Sequence, residues 1–341
     1  MEQIKGTRYA VVFPGQGSQY VGMGQEIAKQ FSSALEIFKS AEQMTGLSVQ
    51  HLSFFGSEED LMETSITQPC LLTTSIAAYT VFREHFPIQP EFICGHSAGE
   101  YAALVAAGVL SFADAIRLIQ VRGTLMSKMQ GGGMAALKEV TLEEAEELCK
   151  TAVLPGGILV PANWNSPEQI VISGDTDSVE SAVFIALEKD IKVIPLSVSA
   201  AFHSPLMQEA AAQFAEPLGN VQFNDNTVPV VSNVTAKPVT NGGEWATLLE
   251  QQIVSPVLWE PSIRYLEQQG IEVFVEVGPK QVLSKLISKI SPTSLTLNVE
   301  DVSSLQSTVT ELKKFFDVKG ALNPRNEHYL SHMLDIPATT V

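Results

Sequence analysis

The sequence predicts an α/β protein in which a large domain with a mostly parallel sheet is interrupted by a small inserted domain. Short apolar strands alternate with helices over residues 1–128, as they do in parallel sheets that helices cover on both faces. The glycine triplet Gly131–Gly133 marks a change of pattern, and the large domain resumes near Ala201. A length of 341 residues also suits two domains of about 150 residues each.

The first half of the large domain begins with the predicted strand Tyr9–Phe13, which ends in the tight turn Pro14–Gln19. A second tight turn, Gly95–Gly99, follows another short apolar strand. The other predicted elements of this half are a helix over Met23–Phe31, a helix over Leu71–His85, a strand over Glu91–Cys94, a helix over Glu100–Ala107 and a helix from the N-cap Ser111 to Met129.

The insertion, residues 129–200, is predicted to contain six elements in the order βαββαβ, the ferredoxin-like split unit. Thr141 and Glu144 form a capping-box pattern at the start of its first helix. The six elements are a strand at Met134–Lys138, a helix at Thr141–Thr151, strands at Gly157–Trp164 and Gln169–Ser173, a helix at Asp175–Lys189 and a strand at Ile191–Ser199.

The second half of the large domain is predicted over residues 201–300, and residues 301–341 form a C-terminal extension. Within the extension, Val302–Phe316 is compatible with one helix, and Ala321–Val341 has the pattern of a loose tail. The elements of the second half are a strand at Val228–Ser232, helices at Trp245–Val254 and Trp259–Gln269, a strand at Val273–Val277 and a helix at Lys280–Lys289.

The charge balance restricts the kinds of partner. Acidic residues number 38 against 21 basic ones, a formal net charge of −17. This argues against nucleic acid, because phosphate binding needs clustered Lys and Arg. An anionic membrane surface is disfavoured for the same reason.

The cysteines and the apolar runs indicate a compartment. Cys70, Cys94 and Cys149 form no CxxC pair, which suits a reducing environment. The N-terminus lacks a signal-peptide pattern, and the longest apolar run, Ala102–Leu110, is too short to span a bilayer. We therefore expect a soluble cytoplasmic protein.

Ser97 is the predicted nucleophile. Residues Gly95–Gly99 fit GxSxG between a predicted strand and a predicted helix. Such a turn strains the serine backbone, and glycines on both sides avoid steric clashes. The N-terminus of the following helix directs N–H groups and positive potential at developing negative charge.

His203 is the predicted base for Ser97. Six histidines are available: His51, His85, His96, His203, His328 and His332. His96 adjoins the serine in a tight turn, so its side chain should point elsewhere. His328 and His332 have the spacing of a metal pair, but no third ligand is evident, so no metal site is predicted. His203 follows the last strand of the insertion, at the expected cleft between the domains.

The order of these residues differs from that of ordinary α/β-hydrolases. There an acidic residue and then a late histidine follow the serine, whereas His203 comes well before the end of this chain. The HGGG-type oxyanion loop is also missing. Gln16 lies between two glycines, which would let its backbone N–H approach a substrate. Tyr20 stands where a dinucleotide-binding GxGxxG would need glycine.

Arg122 lies on a predicted helix of mixed polarity, where most arginines are solvated or paired with neighbours. A buried arginine in a cleft would instead bind a substrate carboxylate through two parallel hydrogen bonds. The residues alone leave both interpretations open.

Taken together, eight ordered motifs resemble the malonyl-CoA:acyl carrier protein transacylases and the related acyltransferases of polyketide synthases. The resemblance covers about residues 8–290. The motifs are FPGQGSQ at Phe13–Gln19, GHSxGEYAAL at Gly95–Leu104, Arg122 with Leu125 and Met126, GMAA at Gly133–Ala136, NSPxQxVISG at Asn165–Gly174, AFHSPLM at Ala201–Met207, SPVxW at Ser255–Trp259 and EVGP at Glu276–Pro279.

This resemblance implies a hydrolase-like large domain and a role for each matching residue. Ser97 would attack the thioester of malonyl-CoA, and His203 would serve as its base. The backbone N–H groups of Gln16 and Ala98 would form the oxyanion hole, and Arg122 would bind the malonyl carboxylate. The acceptor would be the phosphopantetheine thiol of an acyl carrier protein, with no other cofactor, and the enzyme would be monomeric.

Three further residues take their interpretation from the resemblance. The backbone carbonyl of Gln252 would orient the imidazole in place of an aspartate. Phe202 matches the malonyl-selective pattern, where methylmalonyl-selective relatives usually carry serine. Ala98 departs from the family, which usually has a larger residue there, so its smaller side chain could loosen the pocket.

Other functions stay open at this point. A proofreading acyl hydrolase need not retain Arg122, and an acyltransferase could use a different donor. A non-catalytic carrier-binding subunit would not need Ser97 and His203. Fatty-acid synthesis and polyketide or lipopeptide synthesis are not separated by the motifs. The extension beyond the family motifs favours a stand-alone, trans-acting enzyme of specialised metabolism.

The acidic balance also bears on the carrier, because acyl carrier proteins are usually acidic themselves and the overall field would repel them. Docking would need a local basic patch. The candidates are Lys280, Lys285 and Lys289 on one late helix, with Lys128 or Lys192 near the cleft.

Overall fold

A computed structural model describes residues 8–198 and 200–316 of the chain. The strands are β1 (Tyr9–Phe13), β2 (Phe92–Gly95), β3 (Gly132–Lys138), β4 (Leu159–Ser166), β5 (Gln169–Asp175), β6 (Lys192–Pro195), β7 (Val230–Val231), β8 (Pro238–Val239), β9 (Val273–Val277) and β10 (Leu295–Val299). The helices are α1 (Gln25–Gln30), α2 (Ser32–Thr45), α3 (Val49–Phe55), α4 (Glu58–Met62), α5 (Thr64–His85), α6 (Gly99–Ala106), α7 (Phe112–Lys128), α8 (Leu142–Ala152), α9 (Thr176–Glu188), α10 (Gln208–Gly219), α11 (Trp245–Val254), α12 (Trp259–Gln268), α13 (Val282–Ile290) and α14 (Val302–Leu312).

The larger sheet has the strand order β10-β9-β1-β2-β7-β8 and is parallel except for the last pair. Strand β1 lies inside it and is fully buried. Its odd-numbered residues join the larger apolar core, and Ala10 and Val12 join a second core that includes residues of α12 and α13. Successive side chains of a strand point to opposite faces, so this sheet is covered on both sides. The prediction of an α/β fold with a parallel sheet is confirmed.

The smaller sheet is antiparallel, with the order β4-β5-β3-β6. Helices α8 and α9 connect its strands in the βαββαβ order, and their apolar residues share a core with the sheet. Helix α8 begins with the capping box of Thr141 and Glu144. The ferredoxin-like unit is therefore present, while its boundaries at residues 129 and 200 stay a prediction.

Several elements differ from the sequence prediction. Strand β10 was not predicted, because it is short and its side chains are only partly buried until Val299. Strand β8 and the helices α2, α3, α4 and α10 were also missed, and α5 begins seven residues before its predicted start at Leu71. The last strand of the insertion ends at Pro195. Helix α13 begins at Val282, so Lys280 lies in the preceding turn with a φ of 62°.

Two further predictions concern the C-terminal tail and membrane-spanning helices. The tail at residues 321–341, with His328 and His332, lies outside the described residues. Within the described residues, no helix combines the length and apolar character that crossing a membrane requires.

Candidate active site

Ser97 lies in the turn between β2 and α6, at the carboxyl edge of the parallel sheet, with a φ of 51°. The flanking glycines are needed because the backbone passes very close to itself. A Cβ atom on Gly95 would lie 2.1 Å from the carbonyl carbon of Gly99, and one on Gly99 would lie 2.2 Å from the carbonyl oxygen of Phe13. The turn therefore holds the serine in a strained conformation that larger flanking residues would not permit.

Ser97 and His203 are brought together although they are distant in the sequence. Ser97 Oγ lies 2.8 Å from His203 Nε2, and His203 Nδ1 lies 2.8 Å from the backbone carbonyl oxygen of Gln252. Because a carbonyl oxygen only accepts, Nδ1 carries the proton in the neutral imidazole and Nε2 is left to accept from the serine hydroxyl. No carboxylate forms an ion pair with this histidine in the described part of the chain.

The surroundings keep His203 neutral. It is almost fully buried. Burial, together with the positive charge of Arg122, lowers its pKa from 6.5 to about 3, despite the hydrogen bond to Gln252 that acts in the opposite direction. A neutral imidazole beside a serine hydroxyl is the arrangement that a general base requires.

Arg122 is a fully buried cation on the inner face of α7. Its Nη1 donates to Gln68 Oε1 at 2.8 Å, and its Nη2 donates to Gln252 Oε1 at 2.9 Å and to Ser97 Oγ at 3.3 Å. These partners are neutral, and no carboxylate forms an ion pair with Arg122 among the described residues. Arg122 is therefore buried rather than solvated, and its role toward a substrate carboxylate stays a prediction.

The turn after β1 lies directly against the turn that holds Ser97. A Cβ atom on Gly15 would lie 2.3 Å from the carbonyl oxygen of His96. The side chain of Gln16 donates to Thr64 Oγ1 at 3.1 Å. Within the described residues, the backbone N–H groups of Gln16 and Ala98 have no hydrogen-bond partner, so both are available to a ligand.

His96 points away from the nucleophile, as its position in the turn predicted. Its Nε2 lies 2.8 Å from Asn165 Oδ1, and its ring centroid lies 5.5 Å from that of Trp259. Burial lowers its pKa. Trp259 and Asn165 thus fix a side chain that cannot compete with His203 for the Ser97 proton.

A cavity of about 750 Å³ opens beside Ser97 and His203. Phe202 is one of its lining residues and is 8% exposed. The smaller sheet forms one wall and helix α13 another, so the cavity extends between the two sheets toward solvent. Four lysines lie along it: Lys138, Lys192, Lys285 and Lys289.

The predicted docking lysines are therefore not all in one place. Lys285 and Lys289 are exposed on α13 and line the cavity, as does Lys192. Lys280 lies before that helix, near Gly17, and Lys128 lines a smaller, separate cavity.

No group of three or more potential metal ligands is found within the described residues.

Three polar residues of the site were missed in the sequence: Gln68, Glu100 and Asn233. All three are almost fully buried and hydrogen-bond to Ser97, Arg122 or Gln252. Gln68 carried a usable signal, because it is a polar residue within a long buried stretch of α5. Such a residue usually has a hydrogen-bond partner that the sequence does not reveal.

Comparisons with known proteins show which family the chain belongs to. A family model described as an acyl transferase domain matches residues 10–319. A malonyl CoA-acyl carrier protein transacylase of Haemophilus influenzae is 41% identical over 305 residues, which cover 88% of this chain and 97% of the relative.

Solved structures resemble the whole fold. The malonyl CoA-acyl carrier protein transacylase from Coxiella burnetii superposes with a TM-score of 0.87 at 36% identity, covering 90% of this chain and 98% of that one. A structure of a holo type II PKS acyl-carrier protein in complex with its malonyl-transacylase matches with a TM-score of 0.86 at 36% identity, covering 89% and 100%.

Proposed function

The chain belongs to the acyl transferase domain family, and on that premise we propose that it transfers a malonyl group from malonyl-CoA to the phosphopantetheine thiol of an acyl carrier protein. One atom carries the proposal: Ser97 Oγ lies 2.8 Å from His203 Nε2 and 3.3 Å from Arg122 Nη2. A base and a buried cation thus meet at one nucleophile, which suits an acyl donor that carries a carboxylate. The relatives named above are malonyl CoA-acyl carrier protein transacylases.

In the first half-reaction, His203 Nε2 takes the hydroxyl proton as Ser97 Oγ bonds to the thioester carbonyl carbon. The carbonyl oxygen becomes negative and accepts hydrogen bonds from the backbone N–H groups of Gln16 and Ala98. The carbon–sulfur bond then breaks, the sulfur of CoA leaves with the proton from His203, and a malonyl ester of Ser97 remains.

In the second half-reaction, the phosphopantetheine thiol occupies the position that CoA has left. His203 takes the thiol proton, and the sulfur attacks the ester carbonyl. Ser97 Oγ leaves and recovers its proton from His203, which yields the malonyl thioester of the carrier. The cycle is ping-pong and needs no resident cofactor, since the phosphopantetheine arrives on the carrier.

Arg122 binds the malonyl carboxylate in this proposal. Gln68 and Gln252 hold the two ends of the guanidinium in place, which leaves its planar fork fixed before the substrate arrives. Phe202 borders the space next to the base and would crowd a substituent on the α-carbon of the acyl group. A clash the size of a methylene group gives only ~10- to 200-fold discrimination. Arg122 would add selectivity against donors without a carboxylate, but not against α-substituted malonyl groups.

The proposed setting is the cytoplasm, with the enzyme acting as a monomer. Cys70, Cys94 and Cys149 are free thiols and all are buried, as a reducing compartment permits. The acyl carrier protein is proposed to dock at the mouth of the cavity beside Lys285 and Lys289 of α13.

The chemistry is tested by brief exposure of the full chain to malonyl-CoA followed by peptide mass spectrometry. We expect a malonyl adduct on the peptide that contains Ser97, and its removal by added holo acyl carrier protein. Ser97→Ala is the control and should carry no adduct. Wild-type protein without an adduct would contradict the proposed function.

A further inference from the structure

Glu100 is a fully buried carboxyl group in the first turn of α6, and the steps above do not use it. Its Oε1 accepts from the backbone N–H of Asn233 at 2.7 Å, and its Oε2 accepts from the side-chain amide of Gln252 at 2.5 Å. It forms no ion pair with any described residue. A buried carboxylate that no direct ion pair neutralises is costly, so the presence of Glu100 beside the active site needs an explanation.

Through Gln252, Glu100 is connected to both Arg122 and His203. The amide nitrogen of Gln252 donates to Glu100 and to the carbonyl oxygen of Ser97 at 3.1 Å. Its amide oxygen accepts from Arg122 at 2.9 Å, and its backbone oxygen accepts from His203 at 2.8 Å. One residue therefore orients both the base and the carboxylate-binding arginine.

The Asn233 contact reaches the nucleophile. Asn233 Oδ1 accepts from the backbone N–H of Ser97 at 2.7 Å, and its Nδ2 donates to the carbonyl oxygen of Gly95 at 2.6 Å. The asparagine side chain thus spans the strained turn from one side to the other. Glu100 holds the backbone of this asparagine in place.

We propose that Glu100 is a positioning residue that fixes the amide of Gln252, and through it His203 and Arg122, for the proposed transfer reaction on which this role rests. A carboxylate accepts at both oxygens, so it compels Gln252 to present its amide nitrogen to Glu100. The amide oxygen must then face Arg122. An amide at position 100 has only one acceptor oxygen, so it could not accept from both the backbone N–H of Asn233 and the amide nitrogen of Gln252. One of these two donors would face the NH2 group instead, and Glu100→Gln would lose its hold on Gln252 or on Asn233.

The protonation state of Glu100 gives this role a pH dependence. The groups that face it are Arg122 on α7, Tyr101 on α6 and Cys94 on β2. Burial raises its pKa to about 7, although both hydrogen bonds and Arg122 act to lower it. A protonated carboxyl group would carry an O–H that faces either the backbone N–H of Asn233 or the amide of Gln252. Two donors would then face each other, and that hydrogen bond would be lost. Transfer should therefore weaken as the pH falls through this range, far above the pKa of His203.

The test compares wild type, Glu100→Gln and Glu100→Asp with malonyl-CoA or acetyl-CoA as donor and pantetheine as acceptor, from about pH 5 to 9. We expect Glu100→Gln to lower kcat for malonyl transfer about 100-fold, since small misplacements of reacting groups have effects of that size. The malonyl-to-acetyl ratio should fall, and the loss of activity below neutral pH should disappear. Glu100→Asp keeps both acceptor oxygens on a shorter side chain. It should therefore recover part of the kcat, part of the malonyl-to-acetyl ratio and part of the pH dependence.

Glu276→Gln is the matched control. Glu276 is also fully buried, and its oxygens accept from the backbone N–H groups of Leu283 and Ser284 at 2.9 and 2.7 Å. Its substitution should lower Tm while leaving the malonyl-to-acetyl ratio and the shape of the pH profile unchanged.

Folded Glu100→Gln protein with the wild-type kcat, donor ratio and pH profile would overturn the proposal. If that variant fails to fold, Glu100→Asp with an unchanged ratio and profile would overturn it equally. Both results leave the proposed function standing as long as wild-type Ser97 is malonylated; an absent adduct in wild type would reject the function itself.

Discussion

At the scale of single residues, Arg122 and His203 contact the same hydroxyl, and the charge of Arg122 weakens His203 as a base. Arg122 lies 3.3 Å from Ser97 Oγ, and its charge contributes to the low pKa of His203. A malonyl carboxylate bound to Arg122 would offset that charge and make the imidazole more basic. The correct donor would thereby strengthen the base that activates its nucleophile, which an acetyl group would not do.

Replacement of Arg122 by alanine should separate these donors. Hydrogen bonds to a charged group are worth about 1.5–3 kcal/mol, which corresponds to a roughly 10- to 150-fold loss in kcat/KM for malonyl-CoA. Acetyl transfer should fall by much less. Arg117→Ala is the control, because Arg117 lies on the same helix with its side chain 59% exposed. Malonyl transfer close to wild type in Arg122→Ala would refute the carboxylate assignment.

His203 should also make stability depend on pH. Its pKa is about 3 in the folded chain and 6.5 in its ordinary state. The unfolded chain therefore binds more protons in between, and the free energy of unfolding should decrease as the pH falls from 6.5 toward 3, by at most ~1.4 kcal/mol per pH unit.

Urea unfolding of wild type and His203→Asn across this range measures the effect. The difference between the two proteins is the informative quantity, because Glu100, with its pKa raised to about 7, acts in the opposite sense. Because burial raises the pKa of Glu100, its contribution to the free energy of unfolding is fully present below its ordinary pKa of 4.5 and is lost as the pH rises through about 7. Identical slopes for wild type and variant would show that His203 is not held neutral by the fold.

At the scale of elements, two short turns place the nucleophile and the proposed oxyanion-hole N–H groups. The turn after β1 brings Gln16 forward, and the turn after β2 presents Ser97, and these strands are neighbours in register, with Phe13 opposite Gly95. Parallel strands end at the same edge of a sheet, so adjacent strands bring their turns together.

Gly99→Ala should disrupt this arrangement. Its Cβ would lie 2.2 Å from the backbone of β1, so the turn must shift. We expect a loss of about 1–3 kcal/mol in stability and little malonylation of Ser97. Gly219→Ala at the end of α10 is the control, because a Cβ there meets nothing within 4 Å; it should not destabilise the fold. Full malonylation in Gly99→Ala would contradict the assigned role of the turn.

At the scale of the whole molecule, the net charge of −17 coexists with a basic cavity mouth. Lys289 is paired with Glu168 at 3.2 Å and Lys192 with Glu139, whereas Lys285 has no ion pair among the described residues. An acidic partner would be repelled by most of the surface and attracted at this place.

Charge reversal at Lys285 and Lys289 tests this surface. If each lysine forms one exposed ion pair with an acidic acyl carrier protein, worth ~0.5–1 kcal/mol, the loss of both predicts a roughly 5- to 30-fold higher KM for that carrier. The effect should shrink at high salt. Lys39→Glu with Lys150→Glu makes the same change in net charge on α2 and α8. Equal effects of the two double variants would mean that only net charge matters.

The sequence by itself determined the features that depend on neighbouring residues. The glycines around Ser97 and Gln16 impose their turns locally, and the short apolar runs that alternate with helical segments predict the parallel sheet. Strand β10 escaped prediction because partial burial leaves too weak a pattern in five residues.

Only the tertiary structure decided which distant groups meet. The hydrogen bonds that join Arg122 to Gln68 and Gln252, and Gln252 to Glu100, connect residues far apart in the chain, since Gln252 lies 155 residues beyond Ser97. The backbone carbonyl of Gln252 was expected from the family resemblance, but these side-chain contacts were not. Contacts of this kind follow from how α6, α7 and α11 pack around the sheet. A polar residue within a buried stretch of sequence predicts a hydrogen-bond partner, but the identity of that partner depends on tertiary packing.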